Sequence, residues 1–307
     1  MGEFETKRPR GAALAVGIAA WAAASLAWGQ GLAGGSLAEI ISAAPAADWR
    51  RVDPENTLYL TLPQGRVVIE LAPEFAPTHV ANIKRLARAG FFDGLSVVRS
   101  QDNYVVQWGD AESTKPTGGG ILRLKAEFDR PIRPGDSFVP LPDPDTYAPQ
   151  TGFSGGFPVA RDPAKGLTWL THCYGMVGAG RDVDADSGGG PELYAVIGQA
   201  PRQLDRNVTL VGRVIQGMDV FSALPRGHGD IGFYQTQAEK VPIKSVRIAA
   251  DVPPNERTSF EALRTDSQAF ASVVQNRRFR RDAWYKVPAG RIDVCNVPLP
   301  IRTVPAR

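Results

Sequence analysis

The sequence is poor in the side chains that do metal and nucleophile chemistry. Its 307 residues include three histidines, two cysteines and three methionines. His79, His172 and His228 are scattered, none within ligand spacing of another donor, so neither a metal nor any other cofactor is expected. Net charge is scarce too. At +3, from 35 basic and 32 acidic residues, it gives little attraction to nucleic acid, and no zinc-finger or RNA-binding signature appears. Long helical periodicity is also missing; with 32 glycines and 25 prolines, this points to a loop-rich β protein. Cys173 and Cys295 permit one disulfide in an oxidising compartment or two buried thiols, and their spacing does not choose.

What is present begins at the N-terminus. Lys7, Arg8 and Arg10 precede GAALAVGIAAWAAASLAWG, the charged, apolar, small-residue order of a secretory signal. Residues 1–29 are therefore expected to direct export to the periplasm or beyond, with cleavage after Ser25-Leu26-Ala27 or Ala27-Trp28-Gly29. The alternative is a retained membrane anchor, because the run is nearly long enough to span a bilayer. Its alanine content makes it weakly hydrophobic, which favours cleavage. Residues 30–56, small and interrupted by proline, read as a linker.

LYLTL and RVVIEL then flank PQG as a hairpin. APTHVANIKRLARAG has Pro77 for a first turn, Val80, Ile83, Leu86 and Ala87 on one face, and Gly90 as a stop, which predicts a helix. Strands are expected at FFDGLSVVR, YVVQWGD, ILRLKAEF, LTWLTHCYGMVGAG, ELYAVIG, VTLVGRVI and IKSVRIAA, with a short helix at GMDVFSAL. Many short strands favour a closed antiparallel barrel, since closure removes exposed edges. Residues 129–166 lack periodicity and read as a long inserted loop. The C-terminal extension, 251–307, places Phe260, Leu263, Phe270, Val273 and Val274 at helical spacing and ends that run in Arg277, Arg278, Arg280 and Arg281. A helix packed on the barrel is the plain reading of that run. A contact to anionic lipid or to a partner is the sharper one.

The stretch VVRSQDNYVVQWGD sets an arginine before, and a glutamine inside, what reads as a buried strand, although both are costly to bury without partners. Alternation puts Val105 and Gln107 on one face, with Tyr104, Val106 and Trp108 on the other. Arg99 is close enough in sequence for its donors to meet the Gln107 amide.

Together with GRVVIELAPEFAPTHVANIKRLARAGFFDG, the later GGG and KAEF, and VTLVGRVIQGMDV, this stretch resembles the cyclophilin-type peptidyl-prolyl isomerases. The likeness covers about residues 58–248 and sets a domain at 57–250. It implies a mainly β fold, an eight-stranded antiparallel barrel capped by two helices, here with a C-terminal helical extension. It also implies an external groove for an Xaa-Pro segment. Matched position by position, Arg99 falls at the family's catalytic arginine and Gln107 at the glutamine that orients it. Tyr104, Val105, Val177, Tyr194, Leu204 and Val208 fall at groove positions. Val98, Glu192, Gln203 and Val208 depart from the residues usual there. The implied function is proline isomerisation, without cofactor, by a monomer acting on proline-containing peptides or unfolded exported proteins. A non-catalytic module that binds proline-containing segments of a partner is the alternative. A barrel holding a small ligand in its interior is disfavoured, because the alternating aliphatic residues suffice to fill it.

Overall fold

The computed structural model describes residues 35–281 and 283–305. The segment read as a signal or anchor lies outside them. No helix among the described residues is long and apolar enough to cross a membrane.

The central sheet runs in the order Val241–Pro242, Ser96–Ser100, Val105–Gly109, Glu192–Val196, Met176–Ala179, Leu210–Gln216, Gly65–Leu71, Thr57–Leu62, Ser245–Ile248, with antiparallel pairing throughout. Its two edge strands are consecutive in the chain. Between them Ile243 donates to the Leu95 carbonyl on one side and Lys244 to the Thr61 carbonyl on the other, so one bent segment closes the sheet into an eight-stranded barrel. Leu58, Leu60, Val67, Ile69, Val106, Trp108, Val177, Leu193 and Val211 fill the interior. Helix Pro77–Arg88 covers one opening with Val80, Ile83, Leu86 and Ala87, as its periodicity predicts, and Phe221 of the short helix Met218–Ser222 packs into the same core.

A second core lies on the outside of the barrel and changes the reading of three segments. Met176 and Leu210, pointing outward from the barrel, meet Ile40, Trp49, Phe75, Phe153, Phe157, Val159, Phe270 and Val273. The supposed linker is folded from residue 36 onward. Ser36 caps helix Leu37–Ala43 with Glu39 completing a capping box, and Trp49–Arg51 pairs with Ser259–Leu263. The supposed loop 129–166 instead builds most of a five-stranded sheet. Its hairpin Gln150–Ser154 and Phe157–Asp162 turns at Gly155 and Gly156, whose φ values of 58° and 90° suit a tight turn of the mirror-image type. The helix expected across 260–281 starts only at Gln268, where the Ser267 hydroxyl accepts from Phe270 N–H. Ser259–Leu263 before it is a strand. ILRLKAEF forms no strand; it runs irregularly past the middle of helix Pro77–Arg88, where Asn82 bonds the Ile121 backbone. Cys173 and Cys295 are joined in a disulfide that fastens the C-terminal extension to the barrel side.

Candidate active site

Strands Ser96–Ser100 and Val105–Gly109 carry the site. Their register shifts between Val97 and Arg99, so the extra residue, Val98, brings Arg99 directly opposite Gln107. The Arg99 guanidinium is half-buried and held on several sides. Its Nε donates to the Ile231 carbonyl at 2.7 Å, Nη1 donates to Gln107 Oε1 at 3.0 Å, and Nη2 donates to Gln101 Oε1. The rings of Tyr104 and Phe233 lie 5.5 and 5.4 Å from its central carbon. Burial pulls Arg99 below its ordinary value, with Tyr104 and Glu192 acting the other way; an arginine nonetheless stays cationic in a protein.

Gln107 points its amide nitrogen at Glu192 on the neighbouring strand, 2.5 Å from Oε1. That fixes the amide orientation and leaves its oxygen to accept from Arg99. Burial raises the Glu192 carboxyl above the usual carboxylate range. Asp182 and Asp110 add to the rise, while the Gln107 bond and Arg99 oppose it.

Beside this polar chain, Val105, Tyr194 and Val196 form a small apolar cluster, with Tyr104 and Val208 against it. Four of the expected groove residues are thus together. Tyr104 joins Val105 rather than the opposite face, because Asn103 in the turn before it takes φ 52° and breaks the alternation. Leu204 is half-buried in the turn Arg202–Leu204. Val177 is misplaced by the sequence reading: it faces Ala195 across the ladder and is fully buried inside the barrel. The residue turned toward Tyr194 is Gly178, where an added Cβ would fall 2.4 Å from the Tyr194 ring and hydroxyl.

Tyr194 is anchored from behind. Its hydroxyl meets His172 Nε2 at 2.8 Å, His172 Nδ1 meets Asp205 at 3.0 Å, and Arg202 links Asp205 at 2.7 Å to Asp145 at 2.9 and 3.0 Å. Both ring nitrogens of His172 are thus engaged, one by Asp205 and one by Tyr194. Burial pushes the Tyr194 phenol well above its ordinary value, so it remains a donor. Asp145 belongs to the inserted segment, which therefore helps brace Tyr194. Among the described residues no cluster of three or more metal-ligating side chains occurs.

Sequence reasoning missed Gln101, Ile231, Phe233, His172, Asp205 and Asp145. Only Gln101 carried a local signal, two positions from Arg99. Ile231 lies 132 residues along the chain and reaches Arg99 through its backbone, which no side-chain pattern encodes.

Residues 57–250 match the family model described as cyclophilin type peptidyl-prolyl cis-trans isomerase/CLD. A probable peptidyl-prolyl cis-trans isomerase of Brucella suis is 30% identical over 176 residues, covering 57% of this chain and 74% of that protein. Peptidyl-prolyl cis-trans isomerase-like 1 of Homo sapiens is 27% identical over 214 residues, 69% of this chain and 99% of the relative. Among solved structures, cyclophilin AquaCyp293 from Hirschia baltica superposes with a TM-score of 0.68 at 28% identity, over 84% of this chain and 94% of the other. With the closed barrel, its two capping helices and the Arg99–Gln107 pair in one molecule, the chain belongs to the cyclophilin-type peptidyl-prolyl cis-trans isomerases.

Proposed function

We propose that the site catalyses cis-trans exchange of Xaa-Pro bonds in exported proteins, with Arg99 stabilising the twisted amide. The barrier to rotation, about 18–20 kcal/mol, comes from nitrogen lone-pair sharing with the carbonyl. In the twisted state that lone pair is localised and can accept a hydrogen bond. The observation that carries the proposal is the geometry of Arg99. Its three bonds to described residues use three of five N–H donors, which leaves one on each terminal nitrogen, beside the Tyr104–Val105–Tyr194 cluster. That cluster would hold the proline ring and lower the local polarity, which disfavours the charge-separated planar amide.

A donor bond made mainly in the twisted state contributes about 1.5–3 kcal/mol, one to two powers of ten in rate. Binding and desolvation of the ring supply the remainder. Export is supported by the N-terminal charged and apolar segment and by the disulfide, since disulfides persist in oxidising compartments. The test is isomer exchange of a short Xaa-Pro peptide, comparing the wild-type protein with Arg99→Ala. Wild-type acceleration with most of it lost in the variant supports the proposal. Saturable peptide binding without acceleration selects a non-catalytic binding module instead.

A further inference from the structure

We infer that Ile231 is a positioning residue for Arg99: its main-chain carbonyl, presented from a left-handed backbone conformation, fixes the plane of the guanidinium. The inference rests on the role proposed for Arg99 in isomerisation, but the hold itself can be measured without it.

The conformation is the first observation. Ile231 has φ 47° and ψ 27°, and among the described residues it is the one β-branched residue with positive φ. A side chain branched at Cβ is sterically opposed to that region, so the backbone stands there at a cost in free energy. The residue is 60% exposed, and burial of its side chain does little to offset that cost. What the conformation provides is the carbonyl, which accepts from Arg99 Nε at 2.7 Å. The other two acceptors on Arg99, from Gln101 and Gln107, are side-chain amides. Ile231 offers a main-chain oxygen, which has no rotamer of its own.

The second is the way the surrounding loop enforces that conformation. Gly227 N–H donates to the Ser100 carbonyl and Tyr234 N–H to the Val98 carbonyl, so the loop is tied to both chain neighbours of Arg99. The Tyr234 hydroxyl donates to the Pro225 carbonyl at 2.6 Å and closes the base of the loop. Nearer the tip, Gly232 N–H donates to the Gly229 carbonyl and Gly229 N–H to that of Phe233. Gly232 lies so close to the strand that an added Cβ would fall 2.6 Å from the Gln101 Cα. The Phe233 ring, two residues past Ile231, packs against the guanidinium at 5.4 Å. A strained residue persists only where its surroundings over-determine it, and such residues gather at functional sites. Here the strain is spent on the atom of Arg99 nearest the main chain, where one fixed acceptor sets the direction of the whole planar group.

The experiment compares the full wild-type chain with Ile231→Pro and Ile231→Asn. Proline, its φ fixed near about −65°, cannot present the carbonyl from this conformation. Asparagine tolerates the left-handed region and is the conservative variant for the backbone. Two quantities are read: solvent exchange of the Arg99 Nε–H by NMR, and kcat and KM for a short Xaa-Pro peptide. The Nε–H should be protected in the wild type and unprotected in Ile231→Pro. There kcat should fall about tenfold, the equivalent of one hydrogen bond, with KM close to the wild-type value because the Tyr104–Val105–Tyr194 cluster is untouched. Ile231→Asn should rescue both the protection and kcat. Fast exchange of the Nε–H in the wild type overturns the inference without recourse to a variant. Equal protection in all three proteins, or a loss of kcat in Ile231→Asn matching that in Ile231→Pro, overturns it as well. A protected wild-type Nε–H in a protein that does not accelerate isomer exchange counts against the role proposed for Arg99 and leaves its hold by Ile231 standing.

Discussion

Glu192 accepts a 2.5 Å hydrogen bond from the Gln107 amide, and Gln107 in turn accepts from Arg99. The three residues form a relay from a half-buried carboxyl to the guanidinium of the proposed site. Glu192 is one of the positions at which the sequence departs from the pattern it resembles. The consequence is a titratable group two bonds away from Arg99.

That group makes stability depend on pH. Arg99, Asp182, Asp110 and the Gln107 amide surround the Glu192 carboxyl, and burial raises its folded value above the unfolded one. The folded state then holds the proton to higher pH than the unfolded state does. The resulting stabilisation is complete below the ordinary carboxylate range and is lost as pH rises through the raised value. Glu192→Gln removes this titration. Thermal melts across pH should show the wild type losing ground to the variant as pH climbs out of the carboxylate range; curves that stay parallel would contradict this origin.

Gln107→Leu tests the relay from its middle. Leucine fills the space but offers no acceptor to Arg99 and no donor to Glu192. Losing the positioning of Arg99 should lower kcat/KM for Xaa-Pro exchange about tenfold, the equivalent of one ordinary hydrogen bond. The pH dependence of the remaining activity should move with it, since the Gln107 bond opposes the rise of Glu192. A merely structural role would change stability and leave that profile in place.

Gly178 leaves the room that the Tyr194 ring occupies. A side chain there would strike the Tyr194 ring, itself immobilised through His172 and Asp205. Gly178→Val should destabilise by about 1–3 kcal/mol, as overpacking does, and should raise KM for proline peptides more than it lowers kcat. Peptide titration and exchange kinetics together check the split.

These residues also show what the sequence could and could not reveal. Helix Pro77–Arg88 was legible because its apolar spacing, initial proline and terminal glycine agree. Arg99, Gln107, Tyr194 and Val208 were found through their positions in a family pattern. Val177 was named in place of Gly178 because a strand alternates with period two, so a slip of one residue exchanges the groove face for the barrel interior. Phe260 and Leu263 share the i, i+3 spacing of a helix, yet on a short strand buried on both sides the same spacing sends them to opposite faces and into two separate cores. The inserted sheet was hidden by strands of two to six residues broken by proline and glycine. The Ile231 and Asp145 contacts form between segments remote in sequence and left no local trace.

The disulfide closes a separation of 122 residues and ties the C-terminal extension to the second core. In the chain-entropy picture, a loop of that length removes enough freedom from the unfolded state to stabilise the fold by about 5 kcal/mol. That is a large share of the 5–15 kcal/mol typical of a folded domain. The Arg99–Gln107–Glu192 relay sits on barrel strands whose interior packing does not involve either cysteine. Reduction, or Cys173→Ser with Cys295→Ser, should therefore lower the guanidinium unfolding midpoint strongly while exchange catalysis at low temperature stays close to that of the oxidised protein. Loss of activity in step with reduction, under conditions where the barrel remains folded, would instead mean that the second core transmits strain to the groove through Arg202 and Asp145.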